Sequence, residues 1–322
     1  MTETALVDRI EVPASEVNDE RNKLFNISIL SAENRNFIEA ERKISKELLI
    51  IRPTLHIYQM TEFGETKTAL ANRIENYCKK INHPCRVLTG ITAASVCGSI
   101  DDHSNPIPPA SLKYRYGTMI IDEFQTNSIQ KTETIGSMLD VIENERSSRN
   151  MARVPKGKTH SVLGKDCEVR DGELNFRNLR SNWIFLTAKN LKKSHGLQMA
   201  MLMSRCVPIS KNFTFDELDA IDDDPDLLFK PLNLKVPEHH VIKNVEYLKI
   251  RTYVKKGLQS LDVSENYYFR TICDCLRAYV YSGYQHDTDL YAFIIGCKAE
   301  FAVKIEELEV SISELEKQTE GS

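Results

Sequence analysis

The sequence predicts an α/β fold in which a parallel sheet with crossover helices is followed by a helical region. Three apolar runs, each followed by polar residues, indicate buried strands at 55–58, 118–121 and 182–188. Helix-like segments separate these runs, which is the alternation typical of a parallel sheet.

Several further elements are predicted between the amino terminus and the strand at 118–121. After a polar arm to about residue 20, the pattern predicts a helix from about residue 22 to 51, where Arg52-Pro53 ends it. A strand, a loop, a helix and a strand at 86–88 come next. Residues 89–116 contain three prolines and interrupt the alternation, so they are interpreted as an insertion.

The loop after the first strand, TEFGETKT at 61–68, has the composition of a phosphate-binding loop. Such a loop needs glycine near phosphate, a lysine for the terminal phosphates and a hydroxyl for Mg²⁺, and Gly64, Lys67 and Thr68 supply these groups. An ordinary surface turn remains the alternative. The candidate nucleotide-binding residues are Thr61, Glu62, Phe63, Gly64, Glu65, Thr66, Lys67, Thr68 and Ala69.

The second strand ends in two carboxylates, Asp122 and Glu123. Since ligands bind at the carboxyl ends of parallel strands, Asp122 is predicted to hold Mg²⁺ with Thr68, and Glu123 to polarise the attacking water. A solvated acidic turn would give the same pattern.

Downstream, residues 132–146 form an amphipathic helix pattern with Ile135, Met138, Leu139 and Ile142 on one face. The third strand leads to Asn190, which is a candidate for orienting the water or, alternatively, for satisfying local backbone. A helix at 199–205 then ends in Arg205, before a strand at 206–209.

Composition excludes several classes of protein. The 322 residues are 41% hydrophobic and carry a net charge of −4, which argues against a surface coated with nucleic-acid-binding charge. Eight scattered cysteines without a C-x-x-C pair indicate reduced thiols and not structural zinc. Without a membrane-length apolar run or a secretory signal, an intracellular, cytoplasmic location is expected.

In combination, these motifs resemble the AAA+ motor module of the MCM-type replicative helicases. The phosphate loop of that family, G-[DE]-P-G-T-A-K-[ST], matches at Glu62, Gly64, Lys67 and Thr68, whereas Thr61 and Phe63 depart from it. The resemblance extends in order over about 45–210. The other segments that resemble the family are Thr89-Gly90, IDEF at 121–124, LDVIENERSS at 139–148, LRSNWIFLTAKN at 179–190 and MLMSRC at 201–206.

The resemblance implies a P-loop AAA+ three-layer αβα core with a parallel sheet and a C-terminal α-helical lid. The expected divisions are an N-terminal arm and helix at 1–45, the ATPase core at 46–215, the lid at 216–300 and an amphipathic helix and tail at 301–322. Within the core, 89–116 would be the helix-2 insert and about 150–178 the pre-sensor 1 hairpin. The N-terminal OB-fold and zinc domain of the family is not expected in this chain.

The resemblance also implies roles for individual residues. The chain would hydrolyse ATP with Mg²⁺ in a homo-oligomeric ring, expected to be a hexamer, with Arg205 acting on a neighbouring subunit's γ-phosphate. Arg270, or in second place Arg277, would be the sensor of the lid. Arg153, Lys156 and Lys158 lie in a basic segment and would contact phosphates of single-stranded or duplex DNA; a solvated loop is the alternative.

Partners expected from the resemblance are DNA and loader or replication proteins, with a nucleoid-associated or nuclear location depending on the host. Two other functions stay open. A protein remodeller of the MoxR or chelatase type uses a similar loop and insert, and the threonines at 61 and 66 are also compatible with a nucleotide-binding scaffold.

Overall fold

The computed structural model describes residues 14–42, 47–61, 66–89, 91–102, 105–122, 132–150, 166–170, 173–188, 196–237 and 240–303. Its strands are β1 (Ile38–Glu41), β2 (Leu48–Ile51), β3 (Ile57–Thr61), β4 (Cys85–Thr89), β5 (Ser99–Ile100), β6 (Pro106–Ile107), β7 (Thr118–Asp122), β8 (Arg146–Asn150), β9 (Cys167–Arg170), β10 (Glu173–Arg177), β11 (Asn182–Ala188), β12 (Val207–Ser210) and β13 (Val241–Ile242). Its helices are α1 (Ala14–Glu33), α2 (Lys67–Lys80), α3 (Ala93–Cys97), α4 (Ala110–Lys113), α5 (Thr132–Asn144), α6 (Gly196–Ser204), α7 (Phe215–Asp223), α8 (Asn244–Ser260), α9 (Tyr268–Tyr281) and α10 (288–303).

Five described strands form the central sheet, in the order β12-β3-β11-β7-β4, and every neighbouring pair is parallel. Helix α2 connects β3 to β4, and α6 lies between β11 and β12 along the chain. The α/β class and the parallel sheet predicted from the sequence are therefore confirmed. In this order β11 separates β3 from β7, so the carboxyl ends of the three predicted strands are adjacent.

Successive side chains of each strand point to opposite faces of the central sheet, and both faces are buried against helices. Ile57, Ile120 and Ile184 belong to a core shared with α1, α2, α8 and α9. Their neighbours Tyr58 and Phe185 belong to a second core shared with α3, α5 and α6. Helices on both faces are compatible with the predicted three-layer arrangement.

The helix predicted for residues 22–51 is wrong in its second half. Helix α1 ends at Glu33, after which β1 and β2 form an antiparallel pair and β13 joins β1 in parallel. Ile38 and Ala40 are fully buried whereas Glu39 is only half-buried, which is the period of two of a strand. The later strand β13 supplies the pairing that local sequence does not reveal.

The predicted insertion contains α3, the short antiparallel pair β5-β6, and α4, none of which joins the central sheet. Gly98, which follows α3, has φ of 81°. A Cβ atom there would lie 2.4 Å from the Phe176 ring and 2.7 Å from the carbonyl oxygen of Ile107. Glycine therefore allows the insertion to contact β10 closely.

Residues 146–177 contain a three-stranded antiparallel sheet in the order β8-β10-β9, and the pre-sensor 1 hairpin stays a prediction. Arg153, Lys156 and Lys158 lie outside the described residues. Helix α5 confirms the predicted helix at 132–146, with Ile135, Met138 and Ile142 buried. Leu139 is only partly buried, and Val141 takes the buried position beside Ile142.

Residues after β12 are mainly helical, and the division of this part into core and lid stays a prediction. Helices α8 and α9 pack together and α9 contacts α1. Helix α10 continues the chain to residue 303, and the rest of the predicted C-terminal helix lies outside the described residues.

In the part of the chain that the structure describes, no helix is both long and apolar enough to cross a membrane. All eight cysteines are free thiols.

Candidate nucleotide site

The predicted phosphate loop joins the carboxyl end of β3 to the amino end of α2. Thr61 ends the strand and is fully buried, and Lys67 begins the helix with 9% of its surface exposed. Thr66 caps the helix in the left-handed conformation, with φ of 35°, and Thr68 and Ala69 are exposed in the first turn. Glu62, Phe63, Gly64 and Glu65 lie outside the described residues. The predicted strand before this segment and the predicted helix after it are confirmed, and the phosphate loop itself stays a prediction.

Two predicted Mg²⁺ ligands meet across this site. The Thr68 hydroxyl donates a hydrogen bond of 2.8 Å to Oδ2 of Asp122, although the residues are 54 positions apart. Thr68 reaches Asp122 because α2 packs over β4 and β7, and Asp122 is the last residue of β7. Asp122 is only 3% exposed, whereas Thr68 lies on the exposed first turn of α2.

Three buried oxygens near this contact have no hydrogen-bond partner among the described residues. They are Oδ1 of Asp122 and the hydroxyl oxygens of Thr61 and Thr66. Leaving a buried polar atom unpaired costs about 1–3 kcal/mol, so a ligand that paired with any of these oxygens would be stabilised by that contact. The adjacent amino end of α2 also presents backbone N–H groups and the positive end of its dipole, which favour an anion such as phosphate.

The chemistry of these groups fits Mg²⁺. This ion prefers oxygen ligands and is usually held by one or two carboxylates together with water and substrate phosphates. Asp122 and Thr68 provide a carboxylate and a hydroxyl of this kind. The described residues contain no cluster of three or more His, Cys, Asp or Glu side chains, and a phosphate-bound Mg²⁺ requires none.

Two further predicted residues follow strands at the same edge of the sheet. Ala188 of β11 is paired with Thr61 of β3, and Asn190 comes two residues later in the sequence. Glu123 directly follows Asp122. Both Asn190 and Glu123 lie outside the described residues, so their roles stay predictions.

The two predicted arginines lie at the opposite end of the sheet. Arg205 stands immediately before β12, and its Nη2 atom lies 2.7 Å from Oε2 of Glu143. Arg270 contacts the other oxygen of Glu143 at 3.4 Å and donates to the hydroxyl of Ser204. The strand β3 separates the two ends by about 16 Å, at about 3.3 Å per residue. Arg270 therefore does not meet Thr68 and Asp122 within one chain.

These arginines line a cavity of about 360 Å³ that is rich in positive charge. Burial and the nearby Arg205 lower the pKa of Arg270. Sequence reasoning did not find this cavity, although the spacing of Arg270, Asp274 and Arg277 along α9 is that of one helical face. The charged and titratable residues that line it are Arg52, His56, Glu143, Arg205, Arg270, Cys273, Asp274 and Arg277.

Burial lowers the pKa of His56 in this cavity to about 3, and the charges of Arg277 and Arg52 act in the same direction. His56 is therefore neutral in the folded chain, where its Nδ1 atom accepts a 3.1 Å hydrogen bond from the backbone N–H of Trp183. The unfolded chain binds a proton at His56 below a pKa of about 6.5, so the stability contributed by the neutral histidine is lost as the pH falls through that value.

We expect His56→Asn to remove part of the acid sensitivity of the fold, because asparagine does not titrate and still offers an acceptor to Trp183. Between pH 7 and pH 5 the wild type should lose about 2 kcal/mol more unfolding free energy than the variant, as measured by urea denaturation. His286→Asn, at a partly exposed histidine beside Glu246, is the control. Equal losses in wild type and His56→Asn would contradict the assignment.

No protein-family model and no curated protein sequence matches this chain. The residues and contacts described above are therefore the support for a function.

Proposed function

We propose that this chain is a Mg²⁺-dependent AAA+ ATPase, similar to the MCM motor module, that works as a ring and translocates on or remodels DNA. The observation that carries the proposal is the 2.8 Å contact between Thr68 and Asp122. It joins the hydroxyl of a helix that begins after the phosphate loop to the acid of a Walker-B-like strand. This contact between two residues that are 54 positions apart in sequence supports a nucleotide site.

The chemistry follows from the position of each side chain. The phosphates of ATP would lie over the amino end of α2, where Lys67 begins the helix and its ammonium group would neutralise the terminal phosphates. Thr68 and Asp122 would hold Mg²⁺, which when bound neutralises charge on the β- and γ-phosphates. Glu123 would orient and polarise the attacking water, with Asn190 as its second partner.

A ring explains why the arginines are remote from this site. Arg205 and Arg270 lie at the amino ends of the strands, whereas Thr68 and Asp122 lie at a carboxyl end. When subunits pack head to tail, the arginines of one chain face the nucleotide of the next. An arginine supplied by a neighbour stabilises charge that develops on the γ-phosphate. We propose a hexamer, with residues 216–300 as the lid of each 46–215 core.

DNA is the proposed load of this motor. The sheet formed by β8, β9 and β10 would present the segment that contains Arg153, Lys156 and Lys158 to the sugar-phosphate backbone. Contacts of this kind are independent of sequence and weaken steeply as salt is raised.

One experiment separates this proposal from its alternatives: ATP hydrolysis by the wild type, Lys67→Ala and Glu123→Gln, each with and without single-stranded and duplex DNA. DNA-stimulated turnover that both substitutions abolish is the expected result. Turnover that ignores DNA would favour a MoxR-type or chelatase-type protein remodeller. Absence of hydrolysis at every protein concentration would rule out the proposed ATPase activity.

A nucleotide-binding scaffold is the second candidate, and one observation favours it. Thr66 adopts the left-handed conformation with φ of 35°, which a β-branched residue disfavours and glycine tolerates. With a strained residue next to Lys67, the chain would still bind nucleotide but would hydrolyse it slowly. ATP binding without measurable turnover in the experiment above would identify this function.

A further inference from the structure

We propose that Lys298 and Asp274, an ion pair on helices α10 and α9, position the guanidinium of Arg205 for its action on a neighbouring subunit. This inference rests on the proposed function, since it assigns Arg205 a catalytic contact. The two residues touch neither nucleotide nor Mg²⁺, so they are positioning residues.

Lys298 is fully buried, and its ammonium group contacts three oxygens. Oδ2 of Asp274 lies at 3.0 Å, the carbonyl oxygen of Ser204 lies at 3.2 Å, and the carbonyl oxygen of Cys206 accepts a third hydrogen bond. An ammonium group has three protons to donate, so these partners satisfy it completely. A single buried amine thus holds the backbone on both sides of Arg205.

The carbonyl groups of Ser204 and Cys206 lie at the end of a helix, where a lysine such as Lys298 is a suitable partner. Ser204 is the last residue of α6, and the final carbonyl groups of a helix have no partner within the helix. A positive charge there satisfies them and interacts favourably with the negative end of the helix dipole. Arg205 follows directly. Its guanidinium contacts Glu143 and donates to the carbonyl oxygen of Met201, so Lys298 would act on it through the backbone of Ser204 and Cys206.

Asp274 connects this contact to the rest of the cavity. Its Oδ1 atom accepts a 2.6 Å hydrogen bond from Arg277, whose Nε atom donates to the carbonyl oxygen of Arg52 at 2.9 Å. Asp274 is only 3% exposed, and both of its oxygens are used. The segment before β3, helix α9, helix α10 and the end of α6 are therefore joined by one continuous set of charged contacts.

A purely structural ion pair would require only that Lys298 and Asp274 neutralise each other. Here two of the three lysine hydrogen bonds go to the residues that flank Arg205. In addition, Arg270, one helical turn before Asp274, donates to the Ser204 hydroxyl. A movement of α9 and α10 relative to the core would therefore be transmitted to Arg205, which couples the proposed lid to the arginine of the same subunit.

The test uses Lys298→Met, which keeps the length of the side chain and removes its charge. We expect kcat for ATP hydrolysis to fall about 100-fold, because a displacement of about 1 Å in a positioned catalytic group has an effect of this size. The Kd for ATP should change less than about threefold, since the nucleotide lies at the other end of the sheet. Lys249→Met, at an exposed lysine on α8, is the matched control.

A double variant and a mixing experiment separate positioning from stability. Asp274→Asn/Lys298→Met removes both charges of the ion pair and keeps an amide oxygen that can accept from Arg277, so it should fold and lack the turnover of the wild type. If the single variant does not fold, the double variant is used for every measurement. Mixing either variant with Lys67→Ala subunits should restore turnover, because the Lys67→Ala chain supplies an intact Arg205 to its neighbour. Failure of such restoration would overturn the proposal.

An NMR measurement tests the contact independently of hydrolysis. The ¹⁵Nε–¹Hε resonance of Arg205, assigned with Arg205→Lys, should shift or broaden in Lys298→Met and stay unchanged in Lys249→Met. An unchanged Arg205 resonance, or wild-type turnover in Lys298→Met, overturns the positioning role. A wild type that lacks turnover while its resonance responds to Lys298→Met would instead identify the proposed ATPase function as the part that fails.

Discussion

Arg205→Ala is expected to lower kcat for ATP hydrolysis by at least about 10³-fold, the range measured when an arginine that stabilises the γ-phosphate is lost. The Kd for ATP should change little, because Arg205 lies at the amino ends of the strands, remote from Thr68 and Asp122 of its own chain. Steady-state turnover and equilibrium binding of ATP, measured on the same preparation, check both statements.

The control for this substitution is Arg251→Ala, at an exposed arginine of α8 that contacts Tyr268. Its turnover should equal that of the wild type. Mixed rings of Arg205→Ala and Lys67→Ala subunits should hydrolyse ATP although neither does so alone, because each variant supplies what the other lacks. Full turnover in Arg205→Ala rings would show that this arginine is not the catalytic one.

Asp122→Asn should be almost as severe, with kcat reduced about 10³-fold, because a bound divalent ion supplies several kcal/mol of charge stabilisation and asparagine lacks the charge that holds it. Thr68→Val should have a smaller effect, since it removes one neutral ligand and keeps the shape of the side chain. In both variants the Mg²⁺ concentration needed for half-maximal turnover should rise. Titration of turnover with Mg²⁺ at fixed ATP measures it.

The matched control for Thr68→Val is Thr252→Val, at an exposed threonine of α8. It should leave both kcat and the Mg²⁺ requirement unchanged. If Asp122→Asn kept the Mg²⁺ requirement of the wild type, the 2.8 Å contact between Thr68 and Asp122 would be a structural hydrogen bond and not a metal site.

The central sheet was predictable because the local residue pattern identifies its strands. β3, β7 and β11 are buried along almost their whole length, so each appears as a mainly apolar run. The Thr68 and Asp122 pair was predictable for the same reason, since parallel strands bring their carboxyl ends to one edge.

Other features depend on contacts that are distant in sequence. The sequence predicts helix over the residues of β1 and β2, whereas β1 pairs with the adjacent β2 and with β13, about 200 positions later. The arginine-rich cavity combines residues from the segment before β3, the ends of α5 and α6, and α9. Lys298 shows no motif in the sequence, and only its three buried contacts distinguish it from a lysine on a solvated helix.

The left-handed conformation of Thr66, with φ of 35°, also could not be predicted, because local preference disfavours a β-branched residue there.

Calorimetric titration of ATP into the wild type and Lys67→Ala, with Mg²⁺ and with EDTA, tests the nucleotide site most directly. Lys67 is the first residue of α2 and would contact the terminal phosphates. We predict one ATP bound per wild-type chain, with an affinity that falls when Mg²⁺ is removed and is lost in folded Lys67→Ala. Equal binding by both proteins, or no binding to the folded wild type, would contradict the assignment of this site.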